Sequence, residues 1–324
     1  MKKLILTLVA VVLTAMTTYA QNRYVATLTH EGNVRTFYGI NALVEANAAA
    51  EEGDIITLSS GKFNGTTITR AITLRGAGME DVVEQNIQKT EITSTMTIRL
   101  EEGQSHSLLV ENLELLNAYS KTMEFRNCRN AIFKKCNIPS DCRFSGGSVE
   151  NVNFIQCRIN YMWHSYDASV AYINCCIENE PSIEGNGVSF LNCTISCHNY
   201  GNLGSGALVN SVLIASYSWA STPATCTLVN CLGYSHNSIT LGGSLQNCIT
   251  LTGESILKED SFYELTDEAK AALSGTDGTE VGMYGGQYPY NPLPDGPRIT
   301  RFNVASKSSA DNKLSVDIEV SGGE

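Results

Sequence analysis

The chain has 324 residues, 17% of them charged and 43% hydrophobic, and carries a formal net charge of −11. So small a charged fraction beside so large an apolar one excludes a disordered chain or a coiled coil and leaves material for a substantial core. The excess of acid argues against nucleic acid or an anionic membrane surface as partner, since both want a basic patch, so no nucleic-acid partner is expected.

Residues 1–20 read as a secretory signal: Lys2 and Lys3, the apolar run LILTLVAVVLTAM, then Thr-Tyr-Ala before Gln21. A bilayer span needs roughly 20 apolar residues, so this run is too short, and no transmembrane helix is expected after signal cleavage. The expected location is periplasm, cell surface or medium. Residues 21–52 follow as an N-terminal unit. Tyr24 to Thr29 and Val34 to Tyr38 read as two strands around His-Glu-Gly-Asn, and Ile40 to Glu52 as an Ala-rich helix stopped by Gly53. A helix there would cover the open end of a stack of coils, whose unpaired edge otherwise invites aggregation.

An internal repeat dominates the middle of the chain. FIQCRI from Phe154, YINCCI from Tyr172, FLNCTI from Phe190, LVNSVL from Leu208, LVNCLG from Leu228 and LQNCIT from Leu245 align, with an earlier copy, FKKCNI, from Phe133. From Gln156 to Asn247 the polar positions recur at steps of 18, 18, 18, 20 and 17 residues. A fixed period marks stacked supersecondary units, and this one is too short for helical hairpins. It suits three short strands and three bends per coil, with equivalent side chains stacked at ~4.8 Å. Asn174, Asn192, Asn210, Asn230 and Asn247 fall where a one-residue bend needs the left-handed backbone that Asn tolerates. Cys136, Cys157, Cys175, Cys193, Ser211, Cys231 and Cys248 form a predicted buried ladder. Rungs ~4.8 Å apart exceed the ~3.8 Å between disulfide β-carbons, so free thiols are expected. A stacked line does not surround one point, so no metal site is read here. Cys142, Cys176, Cys197 and Cys226 lie off the ladder, and a disulfide among them stays open.

The stretch from Gly53, GDIITLSSGKFNGTTITRAITLRGAG, follows the predicted helix with alternating apolar positions punctuated by glycine. This arrangement resembles the opening of right-handed parallel β-helix proteins of the pectin-lyase-like superfamily. DGTEVGMYGGQYPYNP from Asp277 resembles the terminal cap of exported β-helix proteins from gut Bacteroidetes. The resemblance implies an all-β fold: a single-stranded right-handed parallel β-helix with an N-terminal capping helix and a C-terminal strand pair. Residues 53–288 are the β-helix with its terminal cap, with room for roughly ten coils up to Leu251, a rod near ~50 Å long. Residues 289–297 read as a Pro-rich linker and 298–324 as a β-hairpin.

The superfamily's enzymes use paired Asp, or Asp and Glu holding calcium beside an Arg. Between His106 and Leu257 the only Asp are Asp141 and Asp167, so neither constellation carries over, and no cofactor is implied. Glu111, Glu114, Glu124, Glu150, Glu178, Glu180, Glu184 and Glu254 are the candidates for a carboxylate pair ~5 to 9 Å apart, as glycoside hydrolysis requires. A second pattern follows the ladder strand: Tyr161, Trp163 and His164; His198 and Tyr200; Tyr217 and Trp219; Tyr234 and His236. Falling at similar offsets after the ladder positions, they are expected to stack on one side. Rings that cover apolar sugar faces beside amides that bond hydroxyls make a sugar-binding groove. The leading expectation is therefore a secreted, non-catalytic β-helix that binds polysaccharide or cell-surface glycan along one flank. Two others stand beside it: a polysaccharide lyase or glycoside hydrolase, and an adhesin-like rod whose hairpin, Arg298 to Val320, pairs with another protein.

Overall fold

The structure is a computed structural model that describes residues 24–85, 87–115, 122–164, 167–179, 181–197, 203–215, 220–296, 298–304 and 316–321. The proposed signal lies outside these residues. The chain is an all-β parallel solenoid of about nine turns. Each regular coil lays one strand on a first face, turns through a single residue and lays the next strand on a second face. Shorter strands such as Pro181–Ile183 complete the third.

Alternation of side chains along each strand sends every second residue inward. On the first face this builds one column in strict register: Ile56, Leu74, Val110, Phe133, Phe154, Tyr172, Phe190, Leu208, Leu228 and Leu245. All but the last are fully buried. The aromatic rungs stack nearly parallel, with centroids 5.0 Å apart from Phe133 to Phe154 and from Phe154 to Tyr172, and 5.2 Å from Tyr172 to Phe190.

The bends are the recurring polar residues. Asn112, Lys135, Gln156, Asn174, Asn192, Asn210, Asn230 and Asn247 all have φ between +50° and +59°. Just after each bend comes the cysteine ladder, whose described members carry free thiols. These thiols do more than fill space. Cys157 donates to the Phe133 carbonyl at 3.3 Å, Cys175 to Phe154 at 3.3 Å and Cys193 to Tyr172 at 3.2 Å, so each ties one coil to the coil before. In return the Cys157 N–H approaches the Cys175 sulfur at 3.4 Å, and the Cys193 N–H donates to Ser211 Oγ at 3.1 Å, which explains why serine can take one rung. Cys142, Cys176 and Cys226, off the ladder, are also free; the Cys197 side chain lies outside the description.

The two ends differ. At the first, Val25–His30 and Asn33–Tyr38 form an antiparallel hairpin, and Val25–His30 also pairs antiparallel with the first coil's Ile55–Leu58. Leu28 thereby sits over Ile56, and the helix Ala42–Ala49 packs Ala42, Leu43 and Ala46 into the same core. At the far end the strands Ser244–Gln246 and Ile249–Thr252 each pair only with the preceding coil among the described residues. There Leu245 is 47% exposed.

The segment that includes the expected terminal cap and linker lies along the bends. After the short helix Asp267–Ala272, residues 274–295 run back down the outside of the bends as a strap. Asn230 donates to the Ser274 carbonyl at 3.2 Å, and Asn210 exchanges bonds with Thr276 at 2.9 and 3.1 Å. Asn174 donates to Met283 and Gly285 at 2.9 and 2.6 Å, Gln156 to Pro289, and Lys135 to the Leu293 carbonyl and the Asp295 carboxylate. A bend residue in the left-handed conformation aims its side chain outward, and the strap supplies the carbonyls that those donors need once they are buried. Beyond the strap, Arg298–Val304 and Val316–Ser321 pair antiparallel as a separate two-stranded sheet.

Candidate functional site

From Tyr161 onward the strand Arg158–His164 alternates: Met162 and His164 point inward, Tyr161 and Trp163 outward. Tyr161 is 44% and Trp163 45% exposed, unusual for rings of that size on a strand. Residues i and i+2 lie ~6.6 Å apart on one face, so the two rings are neighbours there and make an aromatic platform. In register beside them on the preceding coil are Asp141, opposite Tyr161, and Arg143, opposite Trp163.

A bulge sets this pairing. One extra residue between Ile138 and Asp141 shifts the register, so that Asp141 and Arg143 stand beside the rings. Asn160 Nδ2 holds the bulge by donating to the Pro139 carbonyl at 3.0 Å. The Arg143 guanidinium lies 5.2 Å from the Trp163 ring centroid and donates from Nη2 to Asp141 at 2.6 Å. A cation over an aromatic face, itself clamped by a carboxylate, covers that face and fixes the ring.

Beneath the platform the interior is closely stacked. His164 stacks on Phe144 at 4.1 Å, and Phe144 on Phe125 at 4.4 Å. His164 Nε2 meets the Tyr172 hydroxyl at 2.8 Å, whereas its Nδ1 has no partner. Burial pulls the His164 pKa down to about 3, so the ring is neutral in the core.

The structure thus divides the aromatic set. Tyr161 and Trp163 come together on an open face. His164 belongs to the core, because the alternation that exposes Trp163 must bury its neighbour. Tyr234 is also buried: it shares a column with Ser196, Ile214 and Leu251 and is covered by the segment around Ile256 and Leu265. It cannot line a groove. His236 is exposed, with Nδ1 3.0 Å from the Gly253 carbonyl and 3.1 Å from the Tyr234 hydroxyl. His198, Tyr200, Tyr217 and Trp219 lie outside the described residues.

The carboxylates are largely engaged. Glu111 pairs with Arg75 at 2.5 Å, Glu178 with Arg158 at 2.5 Å, Glu124 with Arg126 at 2.9 Å and Glu150 with Arg129 at 3.4 Å. Sequence reasoning missed Glu91, which stands in direct register with Glu114 on the neighbouring strand. Both are buried, Glu91 beside Lys62 at 3.4 Å and Glu114 between Lys89 and Asn137, each at 2.9 Å. Glu91, with Tyr24, Lys62, Asp81 and Lys89, lines an open cleft of about 480 Å³. The repeat could not have revealed this pair, because Glu91 precedes the regular 18-residue period.

No group of three or more metal-binding side chains converges among the described residues. No described helix is long and apolar enough to cross a membrane. Comparison with protein-family models, with curated proteins and with solved structures returned no match.

Proposed function

We propose that this protein is an exported β-helix, akin to the pectin-lyase-like superfamily, that binds glycan without cleaving it. The observation that carries the reading is the platform of Tyr161 and Trp163 with Asp141 and Arg143 beside it on the neighbouring strand. Two rings on one strand face suit consecutive sugar units, the carboxylate and guanidinium suit their hydroxyls, and the stacked core beneath holds the rings in place before binding. Polysaccharide or a cell-surface glycan is the ligand class.

The test is native gel retardation of the protein across host and plant polysaccharides, followed by assay of each glycan for cleavage. Trp163→Ala and Tyr161→Ala are each expected to weaken retardation about 10-fold, as for loss of roughly 1.4 kcal/mol of ring contact. Unchanged retardation in the double variant overturns the platform. Cleavage that depends on Glu91 or Glu114 transfers the function to the carboxylate pair.

A further inference from the structure

The interior column of the solenoid is closed at one end and open at the other. At the first coil an antiparallel hairpin pairs with the edge strand and sets Leu28 over Ile56, so both leucine and isoleucine are fully buried. At the last coil Leu245 sits over Leu228 with nothing above it among the described residues, 47% exposed. The edge strands there, Ser-Leu-Gln and Ile-Thr-Leu-Thr, carry no charge, no proline and free pairing positions. Such an edge is a template for another strand unless something covers it.

The chain also carries a second antiparallel hairpin with no coil to cover. Val316, Ile318 and Val320 alternate along one strand and are 48%, 52% and 56% exposed. This is the pattern of Ala26 and Leu28 in the hairpin that closes the first end.

The hairpin cannot reach its own open end. Asp295 is fixed at Lys135, 2.5 Å from its Nζ. The Asn247 bend lies six rungs above Lys135, ~29 Å at ~4.8 Å per coil. From Asp295 to Arg298 three residues span at most ~11 Å. A closing strand must lie across the solenoid axis, as Val25–His30 does, so its whole length has to be at the end it closes.

We infer that the hairpin Arg298–Ser321 of one copy closes the open coil of a second copy by strand addition, burying Leu245 under Val316, Ile318 and Val320. Donor and acceptor are different surfaces of the molecule. The contact is therefore heterologous, and repeated copies extend head to tail.

Sedimentation velocity on the full chain over a concentration series tests this. The wild type is expected to give a concentration-dependent series of species. Leu245→Lys spoils only the acceptor and Ile318→Lys/Val320→Lys only the donor; each alone is expected to be monomeric. Mixed, they are expected to form a one-to-one dimer and stop there, since an intact hairpin then meets an intact edge once. A monomeric wild type overturns the inference, and so does a mixture that stays monomeric. Assembly that survives in the hairpin variant but not in Leu245→Lys assigns the open coil to another occupant and equally overturns it. Leu245→Ser, which shortens the side chain without placing a charge on the end coil, guards against misfolding and is expected to weaken association in the same direction.

Discussion

Asn210 has φ +51°, lies buried, accepts from the Thr276 N–H at 2.9 Å and donates to its hydroxyl at 3.1 Å. Glycine at this bend keeps the backbone but loses both bonds, an expected cost of about 2 kcal/mol. Alanine adds the left-handed penalty, and after glycine's extra freedom in the unfolded chain is offset it should cost ~0.5 to 1 kcal/mol more. Urea unfolding of the two variants checks the order; an alanine variant as stable as the glycine one would show the bend to be different in solution. His164 sets a pH dependence. The unfolded ring titrates near 6.5 and the folded one at about 3, so between these values the unfolded chain binds the extra proton. Stability therefore falls as the pH drops through that window, by up to about 3 kcal/mol at pH 4. Replacing both members of the buried pair, His164→Phe with Tyr172→Phe, removes two polar groups together and should flatten this acid limb in melts run from pH 7 to pH 4.

The parallel coils were legible in the sequence because their period is written in side chains that must repeat: an inward aromatic or aliphatic, a left-handed Asn, a small Cys or Ser. The strap was not legible. Its residues 274–295 have no period of their own, and they are placed by carbonyls that answer the bend residues, a match that composition does not display. Tyr234 was misplaced for the same reason, since nothing in YSHN says that a later segment covers it, whereas His164 follows from strict alternation once Trp163 is set outward. Lys135 departs from the Asn pattern because its longer side chain reaches Leu293 and Asp295 at the strap's far end. The strap's tightest contact is testable: a Cβ at Gly286, where φ is +73°, would stand 1.6 Å from Asn192 Nδ2. Gly286→Ala is expected to lift the strap, raising limited proteolysis within residues 274–295 by at least about 10-fold while the coils stay protected.

Across the whole molecule, burial is uniform along the thiol ladder until the last coil. Cys136, Cys157, Cys175, Cys193 and Cys231 are buried, and Cys248 is partly exposed. The neighbouring Cys231 side chain and then the Cys231 N–H, 3.5 Å from the Cys248 sulfur, lower the Cys248 pKa to about 6. Among these ladder thiols, Cys248 should therefore be the first to react with a thiol reagent in dilute native protein. The rate should fall as concentration rises and end coils are covered, and Cys248→Ser should abolish the fast phase.

The strap has one further consequence, for the order in which the chain becomes native. Coils can be added one after another as a chain emerges from its amino end, each templated by the last. The strap meets bends that span six coils, from Asn230 to Lys135, and closes only when all of them are stacked. A coil misaligned by a single step would set every later amide ~4.8 Å away from its carbonyl, too far to bond. The last segment to arrive is thus a ruler laid against the finished rod, and only a correctly counted stack can be fastened by it.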